Sequence, residues 1–147
     1  MPERPAAPAR GLLAEEEGSM YPSDYLYSKE HEWVRVDDDV CTVGITEFAQ
    51  QELGEVVFVE MPEVGQVFDA GDEIGTIESV KAVAEVYTPV AGEVIEVNDA
   101  VVEDPEVLND DPHKEGWLVK IRHSSASDLQ ELMNAERYEA FVEEGEG

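Results

Sequence analysis

An all-β fold, a sandwich or barrel of short strands, is predicted by three features of this sequence. Apolar residues recur in short runs, several alternating with polar ones, through most of residues 21–122, the pattern of half-buried strands. Glycine, proline and aspartate punctuate those runs at short spacing, which favours a sandwich or barrel. Helical periodicity is confined to brief stretches, chiefly at the C-terminal end. A chain of 147 residues, 42% of them apolar, forms one domain with a single modest core.

The elements follow in order. Residues 1–20 carry three prolines within the first eight positions, then Glu15-Glu16-Glu17-Gly18-Ser19. That composition is expected to be a disordered extension, and Met20 is an alternative start. Residues 21–147 are expected to form the folded domain. Trp33-Val34-Arg35-Val36 alternates, Asp37-Asp38-Asp39 turns, and Val40–Ile45 returns as the second strand of a hairpin. Thr46 is placed to cap a helix over 47–53, which Gly54 ends. Strands are predicted at 56–61, 74–79, 82–87, 93–98 and 117–122, with a helical turn at 104–108. Ser127-Asp128-Leu129-Gln130 has capping-box spacing and predicts a helix with Leu129, Leu132 and Met133 on its apolar face. A second helix over 135–144 would bury Tyr138, Phe141 and Val142.

Charge narrows the partners. Thirty-six acidic residues face nine basic ones, a formal net charge of −27. Nucleic acids and anionic membranes are disfavoured by that field, and a protein partner should present a basic surface. The acid excess also fits a high-salt cytoplasm, whose ions screen the self-repulsion. No apolar run approaches the roughly 20 residues that span a bilayer, so a cytoplasmic protein is expected. A lone cysteine, Cys41, forms no internal disulfide and reads as a small core residue of its strand. His31, His113 and His123 lack paired metal spacing, and Asn109-Asp110-Asp111 lacks the glycine and final glutamate of a calcium loop. No metal is expected. Neither a nucleophile with a neighbouring base nor a phosphate-binding loop is evident, which argues against an enzyme.

One lysine stands out. Only four occur, and Lys81 lies between two strands of nearly equal length, ten residues after Gly71 and eleven before Gly92. Its flanks resemble each other, Glu73-Ile-Gly-Thr-Ile-Glu78 before it and Glu85-Val-Tyr-Thr-Pro-Val after it. A hairpin that presents Lys81 at its tip is predicted. The neighbours Val80, Ala82 and Val83 are apolar or small, whereas exposed turns favour asparagine, aspartate and glycine. An ordinary solvated lysine does not account for that setting.

The stretch Ile77-Glu78-Ser79-Val80-Lys81-Ala82, continued by Pro89-Val90-Ala91-Gly92-Glu93-Val94, resembles a lipoyl-attachment hairpin. With His31-Glu32-Trp33, Val43-Gly44-Ile45-Thr46-Glu47-Phe48, Leu53–Pro62 and Glu115-Gly116-Trp117 in the same order, the chain resembles the glycine cleavage system H proteins over about residues 21–142. Biotin carriers usually flank their lysine with methionines, and Val80 and Ala82 stand there instead. The resemblance implies a mainly β barrel-sandwich hybrid, a flattened lipoyl-domain-like barrel with short helices including C-terminal ones. It implies covalent lipoic acid on Lys81, attached by a lipoyl ligase or transferase. It implies a monomeric carrier that takes an aminomethyl group from glycine decarboxylase (P protein) to aminomethyltransferase (T protein), with dihydrolipoyl dehydrogenase (L protein) reoxidising the arm.

Further residues follow from the resemblance. His31 and Glu32, with Glu85 four residues beyond Lys81, are candidates for a groove that shelters the loaded arm; both glutamates could equally be solvated acids. Glu78, Val80 and Ala82 are candidates for recognition by the ligase, and Glu78 could equally be a plain strand residue. Pro112-His113-Lys114 departs from the Pro-Tyr-Gly common in the family, which puts partner contacts of that loop in doubt. Two other readings stay open. One is a related protein that relays lipoyl groups to other complexes; the other is a lipoyl domain of a 2-oxo acid dehydrogenase, which a freestanding chain disfavours.

Overall fold

Trp33 and Val34 are neighbours on one strand and are both fully buried, on opposite faces. That alternation divides the core. The computed structural model describes residues 21–124 and 126–145; the disordered extension expected over residues 1–20 lies outside them.

The strands are β1 (Leu26–Tyr27), β2 (Glu32–Asp37), β3 (Val40–Ile45), β4 (Val56–Glu60), β5 (Val67–Phe68), β6 (Glu73–Ser79), β7 (Val83–Tyr87), β8 (Gly92–Val97) and β9 (Val119–His123). The α-helices are α1 (Glu47–Leu53), α2 (Asp99–Glu103), α3 (Glu106–Asp110) and α4 (Ala135–Gly145), with a 3-10 helix at Ala126–Glu131. All strand pairs are antiparallel. They form a six-stranded sheet in the order β1-β2-β3-β9-β8-β5 and a three-stranded sheet in the order β4-β6-β7. The predicted mainly β architecture with helices at the C-terminal end is the one observed.

Two apolar clusters hold it together. Val34, Val43, Val94, Val119 and Ile121 of the large sheet meet Val56, Val59, Ile77 and Val86 of the small one. Behind the β1-β2 end, Tyr25, Tyr27, Trp33, Ala135 and Tyr138 form a second cluster. Tyr25 stacks on Trp33 with ring centres 4.7 Å apart, and the indole Nε1 donates to Pro112 O at 2.9 Å. Gly44 sits across the ladder from Trp33. A Cβ there would lie 2.6 Å from the indole, so only glycine lets the ring lie over the neighbouring strand. Gly92 is fixed similarly: with φ of 157° its missing side chain would collide with the Arg122 carbonyl of β9.

Some expectations change. The helix α1 is as predicted: Thr46 Oγ1 accepts from Ala49 N, and Gly54, φ 80°, closes it. The capping box at Ser127 does not form an α-helix. Asp128 Oδ2 accepts from Ala91 N instead, tying a 3-10 helix to the β7–β8 corner. The cap belongs to Asn134, whose Oδ1 accepts from Arg137 N at the start of α4. Trp117 stays outside β9, because its N–H bonds back to Lys114 O. The two-residue strands β1 and β5 and the helix α2 carry too few residues to show a period, and none was anticipated.

The candidate lipoyl-lysine hairpin and its cleft

Lys81 lies in the turn Ser79–Ala82 that joins β6 to β7, and its side chain is exposed. Two-residue hairpin loops usually take primed turns with positive φ. Neither Val80 nor Lys81 has positive φ. The buried Ser79 supports the turn instead. Its Oγ accepts from Lys81 N at 3.2 Å and Ala82 N at 3.0 Å, and Ser79 N donates to Ala82 O at 2.7 Å. Val80 N donates to Glu55 O at 3.0 Å, binding the tip to the α1–β4 connection. The lysine stem passes over Gly54, where a Cβ would be 3.5 Å from Lys81 Cε. Asn109 holds that connection, accepting from Val56 N and donating to Gly54 O.

A cleft of about 210 Å³ runs along the edge strand β7. Phe48, Leu53, Ile77 and Ala84 give it apolar walls, and His31, Glu32 and Glu85 line it together with Glu30 and Glu52. The three sequence-predicted groove residues, distant in the chain, thus share one cavity. Leu53, next to Gly54, brings its wall close to the lysine stem. Apolar walls suit a methylene chain, and carboxylates suit a cation at its end.

Glu32 is 3% exposed. Ser28 Oγ donates to its Oε1 at 2.6 Å and Tyr87 N donates to its Oε2 at 3.2 Å. Burial raises its pKa to about 7, against the lowering effect of those two hydrogen bonds. Glu85 is exposed on β7 opposite Thr76. His31 is held in a left-handed conformation, φ 72°, which costs a non-glycine residue about 1–3 kcal/mol. Its Nδ1 is 2.7 Å from Tyr138 Oη, which is 2.8 Å from Thr46 Oγ1, and Thr46 N donates to His31 O. Its ring packs on Phe48 with centres 4.6 Å apart. Burial lowers the His31 pKa, which favours the neutral ring, and its Nδ1 shares a hydrogen bond with the Tyr138 hydroxyl. Helix α4 therefore braces a wall of the cleft. Tyr138→Phe should lower the unfolding free energy by about 1–2 kcal/mol, because it strips one polar group from a buried network. Urea denaturation measures this, and an unchanged midpoint would refute the brace.

The ligase-recognition candidates fall elsewhere. Glu78, Val80 and Ala82 are exposed on the turn and on the outer face of the small sheet, outside the residues that line the cleft. The loop at Pro112-His113 is built into the fold rather than left for partners. Pro112 O and His113 O accept from Trp33 and Tyr25, and His113 Nε2 accepts from Glu47 N at the start of α1. Sequence reasoning placed Tyr138 only as a buried residue of the last helix and missed Ser79, Ser28 and Asn109. Only Ser79 had a local signal, a serine at the first position of a turn. Among the described residues no group of three or more His, Cys, Asp or Glu is placed to hold a metal ion, and no helix is long and apolar enough to cross a membrane.

Comparison with known proteins agrees with this geometry. The profile of the family described as Glycine cleavage H-protein matches residues 25–145. The chain is 48% identical over 126 residues to a glycine cleavage system H protein of Carboxydothermus hydrogenoformans, covering 86% of this chain and 97% of that protein. It is 52% identical over 124 residues to one of Herpetosiphon aurantiacus, covering 84% and 95%. The crystal structure of a glycine cleavage system H protein from Mycobacterium marinum superposes with a TM-score of 0.79 at 36% identity, covering 84% of this chain and 99% of that one. With a lysine at a supported hairpin tip, an apolar cleft beside it and relatives matched over nearly their whole length, this chain belongs to the glycine cleavage H-protein family.

Proposed function

We propose that this chain is the lipoyl carrier of a glycine cleavage system, with the lipoyl group amide-linked to Lys81, and that it acts as a carrier rather than a catalyst. The observation that carries the reading is the placement of Lys81. It is exposed at the tip of the hairpin whose edge strand lines the cleft holding Glu32, His31 and Glu85.

When bound, a lipoyl group would supply a disulfide whose S–S bond opens to take up the aminomethyl group of glycine at P protein; once T protein has removed that group, the dithiol left behind would be reoxidised by L protein. The chain's own residues do three things. Ser79 Oγ holds the backbone N–H of Lys81 and Glu55 O that of Val80, so that Nζ projects from a defined tip. Phe48, Leu53, Ile77 and Ala84 offer a water-poor bed for the arm. Glu32, with Glu85 and Glu30 near it, offers negative charge to an amine lying there. A tethered intermediate also meets successive partners at high effective concentration.

A glycine–bicarbonate exchange assay with P protein tests this reading. The lipoylated chain should support exchange, and the unmodified chain should give only background. Lipoylation without exchange would favour the lipoyl-relay reading.

A further inference from the structure

The small sheet has a solvent face of which only Glu85, on the edge strand, borders the cleft. Val59, Ile77 and Ala84 occupy one rung and point inward, with Val59 and Ile77 buried in the main core. On the next rung Phe58, Glu78 and Val83 lie side by side across β4, β6 and β7, so they share the outer face. Phe58 is 52% exposed and Val83 60%. A bulge in β4 turns Val57 out beside them, 48% exposed, and Val80 completes the patch from the turn, 71% exposed. Four large apolar side chains thus surround one carboxylate, next to Lys81.

We infer that this face, the Phe58-Glu78-Val83 row with Val57 and Val80, is the docking surface for the enzyme that acylates Lys81. That enzyme's matching face would be apolar with a cation opposite Glu78. The inference rests on Lys81 as the attachment site. It deepens that reading, which reached no further than Glu78 and the residues flanking the lysine.

The choice of occupant follows from the reaction. Neutral Lys81 Nζ attacks the carbonyl carbon of an activated lipoyl donor, an amide forms, the activating group leaves, and the amine proton passes to the enzyme. The reacting atom belongs to this chain's own side chain, so the enzyme must close over the turn and touch its flanks. Enzymes that later use the arm react with its far end, away from the lysine nitrogen. Charge points the same way. Glu55 and Glu60 are exposed beside the patch and Glu78 within it, in a chain of net charge −27, so the field attracts a basic partner. An exposed apolar patch with a charged border has the layout of a protein interface.

The test uses the full unmodified chain with a purified bacterial lipoate–protein ligase, lipoic acid, ATP and magnesium, followed by intact mass. Phe58→Ser and Val83→Ser should each raise the KM for the chain about tenfold, with kcat changed by no more than about twofold. Val67→Ser alters a residue that is 74% exposed on the edge strand β5 of the other sheet, and it should change neither. Thermal unfolding should show all three variants folded. Chemically lipoylated Phe58→Ser should support glycine exchange with P protein at the wild-type KM. Unchanged ligase KM in both patch variants would overturn the inference, as would an equal rise in the KM for P protein, which would make the patch a P-protein surface. If one variant fails to fold, the other decides. A wild-type chain that takes up no lipoyl group would instead count against Lys81 itself.

Discussion

Lys81→Arg should remain folded, gain no lipoyl mass and give only background glycine exchange. Arginine keeps the charge and the reach, but its guanidinium stays protonated and does not act as an amine nucleophile. The backbone of the turn is held through Ser79 Oγ and Glu55 O rather than through the lysine side chain. Stability should therefore stay within about 0.5 kcal/mol of wild type, as for most exposed substitutions. Intact mass after reaction with the ligase is the deciding measurement. Uptake of one lipoyl group by the variant would move the attachment site to another of the three remaining lysines, Lys29, Lys114 or Lys120.

Glu32→Gln should have the second-largest effect, and its sign depends on pH. Burial raises the Glu32 pKa from 4.5 to about 7, so between those values the folded chain binds more protons at this site than the unfolded one. Stability from this group is then fully present below about pH 4.5 and is lost as pH rises toward 7. At about 1.4 kcal/mol per pKa unit the loss is about 3 kcal/mol. Glutamine does not ionise. Relative to wild type, Glu32→Gln should gain up to that amount between pH 4.5 and 8, read from denaturant unfolding at a series of pH values. A constant difference across that range would show that Glu32 has an ordinary pKa.

The same titration should gate the loaded arm. Above about pH 7 Glu32 is ionised and attracts a cationic amine in the cleft; below it that attraction fades. Glu30, Glu52, Glu85 and His31 line the same space, and burial lowers the His31 pKa. Release of the aminomethyl group should therefore quicken as pH falls through about 7. In Glu32→Gln release should be fast throughout, by about tenfold at pH 8, the worth of one charge-assisted hydrogen bond. A wild-type pH profile in the variant would remove Glu32 from the arm site.

The comparison of sequence with structure divides by distance along the chain. Thr46 and Gly54 bracket α1 because capping needs only a hydroxyl and a positive φ three to eight residues apart. The Lys81 hairpin was legible because two strands meet across a four-residue turn. Where a local motif met a stronger distant partner it failed: Asp128 serves Ala91, so the capping box at Ser127 gives way to a 3-10 helix. His31, Glu32 and Glu85 could be suspected separately, mainly from the resemblance, but no periodicity joins them into one cavity.

By itself the sequence determined the short alternating strands, the all-β class, the acidic surface and the solitary lysine between matched flanks. These are local matters, set by periodicity, turn chemistry and composition. Only the tertiary structure decided that β7 forms a wall of the cleft, that Tyr138 of α4 reaches back 107 residues to His31, and that burial raises the Glu32 pKa to about 7. Burial and long-range hydrogen bonds depend on which surfaces meet when the two sheets close. Lys81, read first as an exposed lysine with unsuitable neighbours, is thereby placed between an inner cleft and an outer apolar face.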